Sequence, residues 1–252
     1  MSPTGKIIDV VLHRRSILES ICENKPDKRT LVETLPDSRP TVDRAVRELE
    51  EHNLVERVDG VCKPTYTGQM AYKLCEEFRN SFQMLNNTSA ELSLLPLDSN
   101  LNKYIFLDGC IFHPPDYAPY QRIQPLDEDL RDGKKIVAVT GVLIPHIDEV
   151  LRLGADGKAD ITLFVSDDVF DLLLNSRASR ILPNIRSGNS VYRGIAFLRY
   201  SLFFIDEEIL YIGLYSETNH LSAVIRSTNQ QAIQWAKESV QELKNRGTLL
   251  TA

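Results

Sequence analysis

One short stretch of this chain carries side chains able to do recognition chemistry. In Ser38-Arg39-Pro40-Thr41-Val42-Asp43-Arg44-Ala45-Val46-Arg47-Glu48-Leu49, the apolar Val42, Ala45, Val46 and Leu49 recur at helical spacing. The helical repeat turns Arg44 and Arg47 to the opposite edge and leaves Thr41 near the flank. Guanidinium groups on such an edge can donate paired hydrogen bonds to guanine O6 and N7, or to phosphate. Ser38 is placed to cap the free amides, and Pro40 is tolerated in a first turn. Charged outer faces are ordinary on soluble helices, so the flanking elements must decide what this one is for.

No catalytic set accompanies it. The chain has no G-x-S-x-G, no P-loop, no G-x-G-x-x-G and no H-E-x-x-H. His113, His146 and His220 are dispersed, and Cys22, Cys62, Cys75 and Cys110 form no C-x-x-C pair, which suits reduced thiols. Catalytic residues, metal ligands and cofactors are therefore expected to be none, and the chain is not read as an enzyme. Ser166-Asp167-Asp168 reads as a helix cap with acids favoured by the helix dipole.

Charge narrows the partner. The net charge is −6, but residues 1–90 hold 13 Lys+Arg against 14 Asp+Glu, or −1, and the rest hold 16 against 21, or −5. Attraction to a polyanion must come from a local patch, not from bulk charge. No apolar run is long enough to span a bilayer, so no membrane partner is expected and cytoplasmic residence is.

The elements around residues 38–49 then give the arginines a context. Residues 5–24 show helical spacing, with a bend expected at His13-Arg14-Arg15. Asp27, with Thr30 three residues on, should cap a short helix that Leu35-Pro36-Asp37 ends. Two short helices joined by a tight turn, behind a longer one, predict a helix-turn-helix. Asp59-Gly60, flanked by Val58 and Val61, predicts a β-hairpin with Glu56 opposite Lys63, and Asn53 suits a left-handed helix end. A hairpin directly after such a helix is a wing. Thr67 should cap a long helix whose Ala71, Leu74, Cys75, Phe78, Phe82 and Leu85 form a packing seam, within the domain or in a dimer.

The string "SRPTVDRAVRELEEHNLVERVDGVCKPTYTG" resembles the winged helix of archaeal transcriptional regulators, with Asn53 where glycine is frequent. That resemblance implies DNA contacts. Ser38, Arg39, Thr41, Arg44 and Arg47 would face the groove. Lys28, Arg29 and Thr30, near a helix N-terminus, would anchor phosphate, and Arg57 and Lys63 on the wing would touch backbone or minor groove.

Polar turn formers from Asn86 onward mark a boundary, giving a winged-helix domain of 1–90, a linker of 91–102 and a domain of 103–252. In the larger part, strands are expected at 103–107, Cys110–Phe112, Lys135–Thr140, Asp160–Val165, 192–199, 202–205, 210–215 and 221–225. Helices are expected at 123–132, 145–153 and Asp167–Asn175, with a last one capped by Ser227 and closed by Gly247. Apolar strands alternating with helices imply an α/β sheet covered on both faces. The fold class is thus α/β: an N-terminal winged helix-turn-helix followed by a larger α/β effector domain with a central sheet.

The segments "IFHPPDYAPY", "GVLIP" and "YIGLYSETNHLSAVIRSTNQQAIQWAKESVQELK" are similar to the effector domain of archaeal regulators of the methanogenesis-regulator (FilR) type, over most of residues 104–245. Asp116-Tyr117-Ala118-Pro119 lacks that family's histidine, and Ser239-Val240 replaces an aromatic. The resemblance implies a phospholipase-D-like scaffold. The chain has no H-x-K-x-x-x-x-D motif, so no such hydrolase activity is implied. Ligands in α/β sheets collect beyond the C-terminal strand ends, which points to Tyr120, Arg122, Thr140, Ser166, Tyr215 and Arg226 as an effector pocket.

Together these readings predict a sequence-specific transcriptional regulator that binds double-stranded promoter DNA as a homodimer, modulated through its larger domain by a small-molecule effector or by assembly. The rival reading is a protein-interaction module whose winged helix contacts protein.

Overall fold

The computed structural model describes residues 3–115, 122–175, 181–195 and 198–250. The chain forms two compact units, Met1–Leu85 and Asn86–Ala252.

In the first unit, α1 (Pro3–His13) and α2 (Arg15–Asn24) meet at a break beside Arg14. The helix α3 (Lys28–Thr34) starts on Asp27, whose side chain accepts from Thr30 N at 2.8 Å. A few residues later α4 (Arg39–Glu51) begins. Then β1 (Val55–Val58) and β2 (Val61–Pro64) form a hairpin, and α5 (Tyr66–Asn87) follows. Asp59 (φ 55°) and Gly60 (φ 81°) both turn through left-handed backbone, as a two-residue hairpin turn of the right twist requires. Glu56 pairs in register with Lys63. The α2–α3 loop joins the hairpin through an Asp27–Val61 bridge and a Cys62 N to Pro26 O bond of 2.9 Å. Four residues of α4 (Val42, Ala45, Val46, Leu49) are fully buried with Leu18, Ile21, Leu31, Leu54 and Cys62.

Two cap assignments change. The hydroxyl of Ser38 bonds the Thr41 hydroxyl at 2.9 Å and no α4 amide, because Thr41 lies within its reach. Thr65, not Thr67, caps α5: its Oγ1 accepts from Gly68 N at 3.0 Å and donates to Asn53 O at 2.6 Å. Asn53 is itself left-handed (φ 56°).

The second unit runs α6 (Ser89–Leu92), α7 (Tyr104–Leu107), β3 (Cys110–Phe112), α8 (Gln124–Asp132), β4 (Lys135–Thr140), α9 (Pro145–Ala155), β5 (Asp160–Val165), α10 (Asp167–Asn175), α11 (Ile181–Arg186), β6 (Ser190–Arg193), β7 (Tyr200–Ile205), β8 (Ile209–Tyr215), β9 (Leu221–Ser227), α12 (Gln230–Arg246) and β10 (Thr248–Leu250). Its eight-stranded mixed sheet has the order β10-β6-β5-β4-β7-β8-β9-β3, parallel across β6-β5-β4 and antiparallel elsewhere. Alternate residues of the central strands serve two layers. Ile136, Ala138, Leu163 and Phe203 pack with α8, α9 and α10, while Val137 and Phe204 face Val240 of α12. Both faces are covered, which is why β7 is buried at every position.

Three local expectations are overturned. Residues 103–107 are not a strand: Asn102 Oδ1 accepts from Tyr104 N at 2.9 Å and starts α7, which buries Ile105 and Phe106. The strand expected at 192–199 ends at Arg193, where Gly194 (φ 80°) turns the chain, and residues 196 and 197 of that range lie outside the described ones. The cap of α12 is Asn229, which accepts from Gln231 N at 2.9 Å, and Ser227 ends β9 instead.

Candidate nucleic-acid interface

The outer edge of α4 is built by what lies on its two flanks. Turning 100° per residue from the buried stripe, Asp43 and Glu50 fall on one flank, Glu48 and Thr41 on the other, and Arg44 and Arg47 between them. Each flanking acid has its own cation. Lys28 Nζ meets Asp43 Oδ1 at 2.6 Å, Arg57 Nη2 meets Glu50 Oε2 at 2.7 Å, and Arg14 Nε meets Glu48 Oε2 at 2.7 Å. The Lys28 hydrogen bond holds the Asp43 carboxyl below its ordinary range, and the Arg14 bond does the same for Glu48. Both acids therefore stay ionised and balanced near neutrality. Arg39, Arg44 and Arg47 are exposed and make no hydrogen bond or salt bridge to a described residue. Three of the four acids of α4 are thus neutralised from behind, the fourth, Glu51, is exposed in its last turn, and the outward arginines are left available.

The sequence-predicted residues thus divide. Arg39, Arg44 and Arg47 are exposed on α4, and Thr41 is half-buried on its Glu48 flank. Lys28 and Arg57 are engaged in the flank ion pairs, so they hold the helix and the hairpin in place. Arg29 pairs with Glu33 at 2.8 Å but is 87% exposed, and Thr30 lies beside it in the first turn of α3. Lys63 projects from β2 opposite Glu56. Arg14 escaped the sequence reading; a lone arginine in a helix break gives no sign of a partner 34 residues away.

In the second unit the expected pocket residues do not converge. Thr140, Ser166 and Tyr215 lie at one end of the sheet and Arg226 at the other, because β8 and β9 run antiparallel to their neighbours. Each has a local partner. Thr140 Oγ1 accepts from Val142 N at 3.1 Å, Ser166 Oγ accepts from Val169 N at 3.4 Å, and Tyr215 donates to Ser201 Oγ at 2.8 Å. Arg226 bonds Asp129 at 2.9 Å and the Tyr211 hydroxyl at 3.1 Å. Arg122 pairs with Asp127 at 2.8 Å, and Tyr120 lies outside the described residues.

Beside Asp127 sits the buried His146, whose Nε2 accepts from Ile123 N at 3.4 Å and lies 3.7 Å from Asp127 Oδ1. Burial pushes its pKa down, against the pull of Asp127. A ring nitrogen that accepts an amide hydrogen must be unprotonated, so the geometry and the burial agree on a neutral imidazole. Among the described residues no group of His, Cys, Asp and Glu could hold a metal ion. A cavity of ≈ 650 Å³ opens at the Tyr215 end of the sheet, lined by Leu94, Pro96, Arg199, Ser216, Glu217 and Thr218. Sequence reading missed it because loops far apart in the chain form its walls. No described helix is long and apolar enough to cross a membrane.

A helix-turn-helix pair with a cationic outer edge, carried on the same chain as a large mixed α/β sheet, defines a two-unit regulatory class. The chain belongs to the family of the methanogenesis regulatory protein FilR1, whose middle domain matches residues 119–246, and residues 8–86 match the HVO_A0261 N-terminal domain. A solved structure of TrmBL2, described as an archaeal chromatin protein with a novel mode of DNA binding, is similar at 9% identity and a TM-score of 0.44, covering 96% of this chain and 98% of that one. NucT from Helicobacter pylori is similar at 13% identity and a TM-score of 0.43, over 56% of this chain and 98% of its own. NUC from Salmonella typhimurium, a phospholipase D family member, is similar at 13% identity and a TM-score of 0.42, over 57% and 99%. Likeness this distant carries no statement about ligand or activity. A search of curated proteins gives no match.

Proposed function

We propose that the protein is a sequence-specific transcriptional regulator in which the N-terminal unit acts as a winged helix. Its α4 enters the major groove of promoter DNA, the β1–β2 hairpin is the wing, and two copies bind two half-sites. The observation that carries this reading is the charge arrangement on α4. Three flanking acids are paired from behind, and Arg39, Arg44 and Arg47 point outward without partners among the described residues. Arginine in that setting serves both base edges and phosphates. Family membership supports a regulatory role, and the cavity beside Arg199 gives a small-molecule effector a place in the larger unit. Binding there would shift the balance between dimer geometries that fit the half-sites well or badly. No chemistry on the DNA or the effector is part of this reading.

The test begins with selection of bound duplexes from a random-sequence library, followed by affinity measurements over a range of salt. Arg44→Ala and Arg47→Ala should each weaken binding to the selected duplex roughly ten- to hundredfold. Where the missing guanidinium had met a phosphate, the salt slope should fall by about one. Unchanged affinity in a folded double variant removes α4 as the recognition element. Binding without salt dependence would favour a protein partner instead.

A further inference from the structure

The first unit keeps an apolar face that no other element of that unit covers. On α5, Met70, Leu74, Phe78, Phe82 and Leu85 are between 41% and 60% exposed, and Ile8 and Leu12 of α1 stand beside them at 52% and 43%. Between the two helices runs a groove of ≈ 530 Å³, floored by Ile7, Val11, Ala71 and Cys75.

The spacing of this face says what kind of partner fits. Ala71, Cys75, Phe78, Phe82 and Leu85 step by four and three residues in turn, the repeat of a helix-packing seam. Ala71 and Cys75 meet the core of the unit. Phe78, Phe82 and Leu85 continue the same register with no core against them, and the Phe78 and Phe82 rings lie 4.5 Å apart. Soluble monomers rarely leave so large a contiguous apolar surface open.

Area and charge both favour a second copy of this chain. Seven half-exposed large side chains offer on the order of 100 Å² each, or about 700 Å² per copy, against about 800 Å² per partner in a standard interface. The stretch 78–87 contains a single charged residue, Arg79, and it is paired with Glu76 at 3.0 Å. Over that stretch two such faces related by a twofold axis bring no unbalanced like charges together, and the exposed Lys73 and Glu77 of the turn before it carry opposite signs.

We propose that the α1–α5 face is the homodimer contact, with Leu74, Phe78 and Phe82 at its centre. This rests on the regulator reading and gives its dimer a surface, so the two must be tested apart. Sedimentation velocity of the full chain at about 10 μM should show a dimer. Phe78→Glu should convert it to monomer, at least a hundredfold weaker in self-association, with its circular dichroism unchanged. Should Phe78→Glu fail to fold, Phe82→Gln, farther along α5 from the core residues, must give the same conversion. A monomeric native chain overturns the proposal, and so does a folded variant that dimerises as tightly as the native chain. The Arg44→Ala/Arg47→Ala double variant should stay dimeric while losing DNA affinity. If it keeps its affinity and Phe78→Glu is monomeric, recognition by α4 fails and the interface stands.

Discussion

At the scale of single residues, what a side chain can do is set by who already holds it. Arg14, Lys28 and Arg57 resemble Arg44 and Arg47 in composition, yet the first three are tied to acids of α4 and the last two are not. His146 shows the same logic in the second unit. Its burial holds the folded-state pKa below the ordinary value, whereas in the unfolded chain it takes up a proton near pH 6.5. The unfolded state then binds more protons, so this contribution to stability is fully present above about pH 6.5 and is lost as pH falls below it. Urea unfolding between about pH 5 and about pH 7.5 should show that loss, and His146→Gln should flatten it. An unaltered slope in the variant would show that other groups carry the acid sensitivity. That His146 would be buried and neutral was not legible in the sequence: helix phase can turn it inward, but only the packed Ile123 amide and Phe203 ring enclose it.

At the scale of elements, much was legible. The strands Lys135–Thr140 and Asp160–Val165 and the helix Asp167–Asn175 follow directly from apolar runs and a local cap, because burial on two faces leaves an unbroken signature. The Asp59-Gly60 turn is equally local, since few residues accept two successive left-handed conformations. Residues 103–107 mislead because the short apolar run after Lys103 fits a strand, while one hydrogen bond to Asn102 tips them into a helical turn. The start of α5 shows how tightly elements meet. A Cβ on Gly68 would lie 1.8 Å from the Leu54 carbonyl oxygen, so the helix can approach the hairpin only with glycine there. Gly68→Ala should destabilise the first unit by about 1–3 kcal/mol or more, read as a lowered midpoint of its thermal unfolding. A stability equal to the native chain's would mean that the close approach relaxes at no cost.

At the scale of the whole molecule, each unit has its own buried core, one built on α2–α5 and the hairpin, the other on the mixed sheet. Separate cores unfold as separate cooperative units unless a large interface couples them. Differential scanning calorimetry of the full chain should therefore resolve two transitions, and Gly68→Ala should move only one of them. A single transition shifted as a whole would show the two units to be energetically coupled. Binding of duplex DNA should raise the transition of the first unit, by mass action on its folded state.

The sequence by itself determined the order and kind of most elements, the buried stripe of α4 and the local charge near neutrality, since periodicity and turn chemistry act between near neighbours. Only the tertiary structure decided which arginines of that region are available. The pairing of Arg14 with Glu48 and of Arg57 with Glu50 depends on helices and strands brought together by the common core. The same holds for the scatter of Thr140, Ser166, Tyr215 and Arg226 over two ends of the sheet, which follows from strand direction and not from spacing along the chain. It holds also for the seam of α5. Its repeat was readable, but whether Phe78, Phe82 and Leu85 meet their own core or another molecule depends on where that core ends, and that is a fact of packing in three dimensions.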